Sequence, residues 1–374
     1  MKAIENREKK DLQCKYSSRL AGKTSLISEK EYQRFVMQYL EENNGFVIRN
    51  SKHYDRLHAI DRELLFTFLN DTQPEAMDRL ERIYKGDLEN VIIGLINTEV
   101  TKKKGSLLNV LKHGIEISGE TLKFMFTRPA TNFNQDLSEK YQKNIFSVME
   151  EVWASDQERI DLVIFLNGLA IMSFELKCNA AGQSVEDAIY QYRTERNPKT
   201  RLFLFKAGVL VNFAMDLNEV YMTTKLTGED SFFLPFNMGR GNGVYAGKGN
   251  PVFPDRYSVS YMWEDILKKD TILDLIGKFM FLQKKEKTDE LTGKIKISEN
   301  LIFPRYHQLD LIRKLLIDTK NNRSSQNYLI EHSAGSGKTN SIAWLAHRLT
   351  SLHDDNNQII FDNIVIVTDR IVVD

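Results

Sequence analysis

The amino-acid sequence predicts an α/β protein in two parts, a mixed sheet with flanking helices followed by an incomplete parallel α/β unit. Three observations carry this. Residues 159–178 (RIDLVIFLNGLAIMSFELKC) hold two near-continuous apolar runs around Asn167-Gly168, a strong hairpin-turn signal. Runs that apolar belong to strands buried on both faces. Residues 184–224 then read as a helix followed by three short apolar strands, which makes an α/β core with a mixed sheet. Further on, residues 327–331 read as a strand that enters a glycine-rich loop and a helix, and 364–368 as the next parallel strand.

The chain begins with a basic, polar stretch over 1–27, expected to be a flexible leader. A helix starts at Ser28, with Glu31 completing a Ser-x-x-Glu capping box. Tyr32, Phe35, Val36, Tyr39 and Leu40 form its apolar stripe, and Asn43-Asn44-Gly45 ends it. Residues 57–85 read as helical with a break near 72–74, where Pro74 sits. Residues 88–100 read as helix running into strand, 122–126 as a strand, and 132–150 as a polar loop and helix leading into the hairpin. After the hairpin come a helix over 184–193 and strands over 202–206, 209–213 and 220–224. The Gly-, Pro- and Asn-rich segment 226–260 reads as a long loop and 262–282 as a helix. The strongly charged stretch 283–300 reads as a linker. It separates a domain over 28–282 from the start of a second over 301–374.

Composition excludes several classes. Lys+Arg and Asp+Glu are both 51, so no global basic field marks a polyanion partner and any nucleic-acid site must be a local patch. No apolar run is long enough to span a membrane, and the N-terminus lacks the apolar core of a signal peptide. Cys14 and Cys178 are the only cysteines, too few for a disulfide framework or a zinc site. A cytoplasmic protein with reduced thiols is expected.

Chemistry enters with three charges on the hairpin. Asp161 sits at one mouth, with Glu175 and Lys177 at the other. Ionised groups beside a core cost several kcal/mol each unless compensated. Two carboxylates held together repel, and a divalent cation would relieve that. Oxygen-only ligation by Asp161 and Glu175, with the Leu176 carbonyl as a third oxygen, suits Mg²⁺. Lys177 would position a water or neutralise charge at a phosphate. The bland alternative is a solvated strand end carrying a surface salt bridge. Register decides between them. A two-residue Asn-Gly turn would pair Asp161 with Phe174 and put it on the face opposite Glu175. The expectation is therefore a three-residue loop over 166–168, with Gly168 left-handed, Phe165 paired with Leu169 and Asp161 with Ser173.

The glycine-rich loop is His332-Ser333-Ala334-Gly335-Ser336-Gly337-Lys338-Thr339. The backbone of Gly335, Ser336 and Gly337 would cradle phosphates at a helix N-terminus. Lys338 would reach the β/γ-phosphates and Thr339 would hold Mg²⁺, which makes a nucleoside triphosphate the expected ligand.

Asp161, Glu175 and Lys177 resemble the three positions of the PD-(D/E)xK nucleases. That resemblance brings Gln191 in as a further catalytic candidate, because a helix after Glu-x-Lys often carries Gln-x-x-x-Tyr. Here the fourth residue after Gln191 is Glu195, so only the Gln half matches. It also raises the possibility that Glu31 faces the metal, against its plain capping role. The loop is similar to the Walker A motif of superfamily 2 helicases, and Phe303-Pro304-Arg305-Tyr306-His307-Gln308 to their adenine-reading segment, where Gln308 would bond the base edge. Together the segments DLVIFLNGLAIMSFELK, YMTTKLTG with FLPFNMG, FPRYHQ and HSAGSGKTNSIAWLAHRL resemble the N-terminal part of the restriction (R) subunit of type I restriction-modification enzymes, over about 28–374. The resemblance implies Mg²⁺-dependent cleavage of double-stranded DNA coupled to ATP-driven translocation. It also implies a complex with methyltransferase (M) and specificity (S) subunits. No Asp-Glu-x-His carboxylate motif follows the loop, so this chain is expected to be a fragment that lacks ATPase activity alone. Two other readings stay open, a stand-alone superfamily 2 repair helicase and a non-catalytic module that only docks DNA or partner subunits.

Overall fold

The computed structural model describes residues 28–368 apart from 132, 179–181, 242–247, 289–294 and 324–325. The expected basic leader, and Asp369 and Arg370 at the last expected strand, lie outside the described residues. Helix α1 (Glu29–Asn44) starts as its sequence dictates. Ser28 Oγ accepts from the Glu31 amide while the Glu31 carboxylate accepts from the Ser28 amide, and Gly45 closes the helix at φ 66°. Strands β1 (Val47–Arg49), β2 (Tyr54–Asp55) and β3 (Ile60–Asp61) follow. Helices α2 (Arg62–Thr72) and α3 (Pro74–Tyr84) meet at the expected proline break, with Pro74 in the first turn of α3. The segment 88–100 is helical throughout, as α4 (Leu88–Thr101), with no strand at its end. Helix α5 (Leu107–His113) and the small hairpin β4 (Ile115–Ile117) and β5 (Glu120–Leu122) complete the first half.

After α6 (Gln135–Gln142) comes β6 (Phe146–Trp153), where the sequence suggested a helix running to the hairpin. β6 lies between β1 and β7, and these two partners supply the ladder that local propensity did not announce. The hairpin itself is β7 (Arg159–Leu166) and β8 (Leu169–Leu176). Helix α7 (Val185–Thr194) leads to β9 (Val211–Met215), β10 (Val220–Thr223) and β11 (Leu234–Pro235). The sheet runs β1-β6-β7-β8-β9-β10-β11, with β3 also bridging to β8. β1–β6 and β8–β9 are parallel and the other pairs antiparallel, so the sheet is mixed as expected. The strand expected over 202–206 is instead a run of turns. A Cβ at Gly208 would fall 2.1 Å from the Leu202 carbonyl oxygen, so the chain doubles back too tightly for a strand there.

The segment 262–282 does not form one regular helix. π-helical turns (Met262–Ile266 and Leu275–Phe279) flank α8 (Lys269–Asp274), and β12 (Phe281–Thr288) begins at once. Asn44 Nδ2 donates to the carbonyls of Trp263 and Leu267, capturing acceptors that a regular helix would use itself. The described parts of the charged stretch, 283–288 and 295–300, pair in an antiparallel ladder of β12 with β13 (Ile295–Ile302). Helices α9 (Tyr306–Asn322) and α10 (Lys338–Leu349) follow. Segments 327–331 and 364–368, read as parallel strands, form no strand. They pair with no other described strand, and Leu329, Val365 and Val367 stay exposed.

Two cores cover the sheet. The larger holds α1 to α6 against Leu162, Ile164, Ile171 and Phe174. It continues without a break into Leu301, Phe303, Leu309, Ile312 and Trp344, with Phe303 edge-on to both Phe213 and Phe236. The smaller, on the opposite face, packs Val185, Ala188 and Tyr192 of α7 over Val163, Phe165 and Ala170.

Candidate active site

The turn of the central hairpin is the two-residue kind. Leu166 pairs with Leu169, and Asn167 and Gly168 both take positive φ, at 50° and 77°. The expected three-residue loop, with Phe165 opposite Leu169 and Asp161 opposite Ser173, is therefore incorrect. The shift occurs one step further along. Phe165 pairs with Ala170 but Ile164 pairs with Met172, which leaves Ile171 as an extra residue in β8. Ile171 and Met172 both join the larger core, and from there every side chain of β8 changes face relative to β7. Val163 faces Ser173 and Leu162 faces Phe174. The next step brings Asp161 level with Glu175, on one face. The bulge thus achieves what a simple Asn-Gly turn forbids.

At that end of the sheet Glu175 is wholly buried and Asp161 nearly so. Asp161 Oδ2 accepts from the Leu176 amide at 2.7 Å. The Lys177 amide donates to the Met215 carbonyl, which fixes its backbone against β9, and Lys177 Nζ lies 3.2 Å from Glu29 Oε2. Burial pushes the Glu175 carboxyl up to about 8, reinforced by Asp161 and opposed by Arg196. Burial likewise raises Asp161 to about 6, with Lys177 and the Leu176 amide pulling the other way. Both carboxyls are held in an environment that disfavours their charge, the condition a cation relieves.

Two functional candidates went unread in the sequence. Arg196 Nε donates to Glu175 Oε1 at 2.7 Å, and its Nη2 donates to the Arg159 carbonyl. Glu158, also buried, accepts from the Asn197 amide and from Thr200 Oγ1, which ties down the loop carrying Arg196. No local pattern marks an arginine just past a helix as the partner of a strand carboxylate 21 residues earlier. The other is Glu29. The acid on α1 that approaches the centre is Glu29, while Glu31 serves the cap. In sequence Glu29 is indistinguishable from any first-turn acid favoured by the helix dipole.

Gln191 sits half-buried on α7. Its Oε1 is buried and accepts no hydrogen bond. The buried tyrosine of this helix is Tyr192, whose hydroxyl meets Ser173 Oγ at 2.8 Å. Glu175 Oε2 is likewise buried without a partner. Among the described residues no three Asp, Glu, His or Cys side chains are gathered as a ready metal cage. Two carboxylates and a strand carbonyl are nonetheless a fitting donor set for Mg²⁺, which keeps most of its waters. The orphaned Glu175 Oε2 is the atom such an ion would satisfy.

The glycine-rich loop enters α10 through Gly335 at φ 72° and Gly337 at φ 84°. Lys338 Nζ folds onto the carbonyls of His332 and Ser333, and Thr339 is exposed in the first turn. Gln308 is committed elsewhere than to a base edge. Its Oε1 accepts from the Arg305 amide and its Nε2 donates to the carbonyls of Gly337 and Ser336. In this conformation it braces the loop, packed where a Cβ at Gly337 would collide.

Fold and site together define a mixed α/β protein with a buried acidic centre at one end of its sheet. A family model described as the N terminus of the type I restriction enzyme R protein matches residues 27–231, more than half of the chain. The chain belongs to that family. Two relatives from Methanocaldococcus jannaschii, the putative type I restriction enzyme MjaVIIIP and MjaIXP endonuclease subunits, are 28% identical over 296 residues and 21% identical over 284 residues. The alignments cover 74% and 72% of this chain but 25% of each relative, so the chain spans about a quarter of their length. No described helix is long and apolar enough to cross a membrane.

Proposed function

We propose that this chain carries the DNA-cleaving centre of a type I restriction R subunit, at Asp161, Glu175 and Lys177. The observation that carries the reading is the wholly buried Glu175, level with Asp161, with Oε2 unpartnered and Lys177 at the strand end. A structural carboxylate gains nothing from burial beside another one, whereas a phosphodiester-hydrolysing centre needs both. When bound, Mg²⁺ would sit on Asp161, Glu175 and the Leu176 carbonyl and supply a polarised phosphoryl oxygen and an activated water. Arg196 holds Glu175 by Oε1, so that Oε2 is left to face the ion. The Leu176 amide holds Asp161 Oδ2 and fixes that carboxylate in turn. The Lys177 ammonium, released from Glu29, neutralises charge building on the phosphate. The unpartnered Gln191 Oε1 is suited to orient a water at the ion.

In the longer protein we assign the loop over 332–339 to ATP and Mg²⁺, with Lys338 and Thr339 in the roles given above, and cleavage is coupled to translocation on duplex DNA. The methyltransferase and specificity subunits are the partners this reading requires. The test is plasmid cleavage by the full R subunit with those partners and Mg²⁺, with and without ATP. Asp161→Asn or Glu175→Gln is expected to abolish cutting. Cutting that persists in both variants would overturn the assignment.

A further inference from the structure

Trp153 is 48% exposed, while Trp263 and Trp344, the other tryptophans of this chain, are buried. It closes β6 at the mouth of the hairpin with β7, directly opposite Arg159. The Arg159 guanidinium lies 5.8 Å from its ring centroid, a cation–π pair at the surface. Arg159 also bridges Glu151 at 2.6 Å, but both side chains reach solvent, and an exposed bridge holds its cation weakly. The tip of this hairpin is not a loose loop. The amide of Ala154 donates to the Glu158 carbonyl, and the buried Glu158 carboxylate is bound by Asn197 and Thr200.

The position of this pair is the second observation. Arg159 stands two residues before Asp161 on the same strand, ~7 Å along it. Its carbonyl is bonded by Arg196, the residue that holds Glu175. A duplex rises ~3.4 Å per nucleotide along each strand. For a duplex lying along β7, a phosphate at the carboxylates would thus leave the backbone about one to two nucleotides away over the Trp153–Arg159 pair. An exposed indole with a guanidinium on its face is the chemistry that takes a deoxyribose or base edge and the adjoining phosphate.

We infer that Trp153 and Arg159 form a DNA-seating platform that holds one flank of the duplex while the carboxylate centre receives the scissile phosphate. This rests on the nuclease reading and extends it to residues outside the metal site. Arg159 exchanges Glu151 for a phosphate, and Trp153 packs against the sugar-base edge beside it.

The experiment titrates the purified chain with a short blunt-ended duplex in EDTA, where nothing is cut, and reads tryptophan emission. Emission is expected to change on binding, and Trp153→Phe to remove the change, since the other two indoles are buried. Trp153→Ala is expected to weaken duplex affinity about tenfold. Arg159→Gln is expected to weaken it and to lower the salt slope by about one. In Mg²⁺, within the full complex, Trp153→Ala should raise KM for DNA and leave kcat near normal, which general misfolding would not do. Duplex affinity unchanged in both Trp153→Ala and Arg159→Gln would overturn the platform. So would an emission change that follows protein concentration without DNA, which would mark a contact between chains. The two readings fail separately. Unchanged KM in a cutting enzyme sinks the platform alone, and duplex binding through Trp153 with no cleavage in the full complex sinks the nuclease centre alone.

Discussion

Glu175→Gln is the most direct probe of the buried centre. The substitution keeps an oxygen for Arg196 Nε and removes the charge. With the carboxyl raised from 4.5 to about 8 by burial and by Asp161, the ionised form is disfavoured in the folded chain relative to the unfolded one. The sign follows from that direction. The stability is fully present below pH 4.5 and is lost as pH rises through 8. The loss works out at about 1 kcal/mol at pH 5, about 3 at pH 7 and about 5 at pH 9. Asp161, raised from 3.8 to about 6, adds up to about 3 kcal/mol over the lower part of that range. Urea unfolding in EDTA at pH 5, 7 and 9 should show wild type losing stability steeply and Glu175→Gln much less, with the variant the more stable of the two at pH 9. Mg²⁺ at a hundred times its Kd should return about 2.7 kcal/mol to wild type at pH 8 and little to the variant. Parallel curves for the two proteins from pH 5 to 9, or equal rescue by Mg²⁺, would refute the argument that Glu175 is a buried acid only partly offset by Arg196 and awaiting a cation.

Asp161→Ala, Glu175→Ala or Lys177→Ala in the full-length complex should abolish DNA cleavage and leave ATP hydrolysis near normal, checked by paired nuclease and phosphate-release assays. Gly168→Ala should cost about 1–3 kcal/mol of unfolding free energy or more, because its φ is +77° and the new Cβ would fall 2.4 Å from the Asp61 carbonyl oxygen. Trp344→Ala removes a buried indole whose Nε1 donates to the Phe279 carbonyl. It should lower stability by about 3–5 kcal/mol and shift the unfolding of 28–282 with that of α10, since they share one core. A transition of 28–282 that stays at the wild-type midpoint would contradict that. Gln308→Ala should weaken binding of a fluorescent ATP analogue about tenfold in the full-length protein by freeing Ser336 and Gly337 from their brace.

The sequence by itself determined the pieces whose causes are local. Ser28 with Glu31 and Pro74 placed helix starts because caps and rings act within one turn. The apolar runs on either side of Asn167-Gly168 could only be a buried hairpin. Asp161, Glu175 and Lys177 stood out because charge at the edge of such runs has to be compensated. The reading failed where the cause was non-local. β6 became a strand because β1 and β7 flank it, a contact between residues about 100 apart for β1. The register was expected to be corrected in the turn, yet the extra residue is Ile171, where the larger core has room for two consecutive apolar side chains of β8. Segments 327–331 and 364–368 have the composition of buried strands and are not strands, because a strand needs a partner as much as a propensity. Arg196, just past α7, bonds Glu175, and Glu29 of α1 pairs with Lys177, and nothing in either's own neighbourhood announces it. Only the tertiary structure could assign them, because a buried charge is compensated by whatever the fold brings within hydrogen-bond reach, at any distance along the chain.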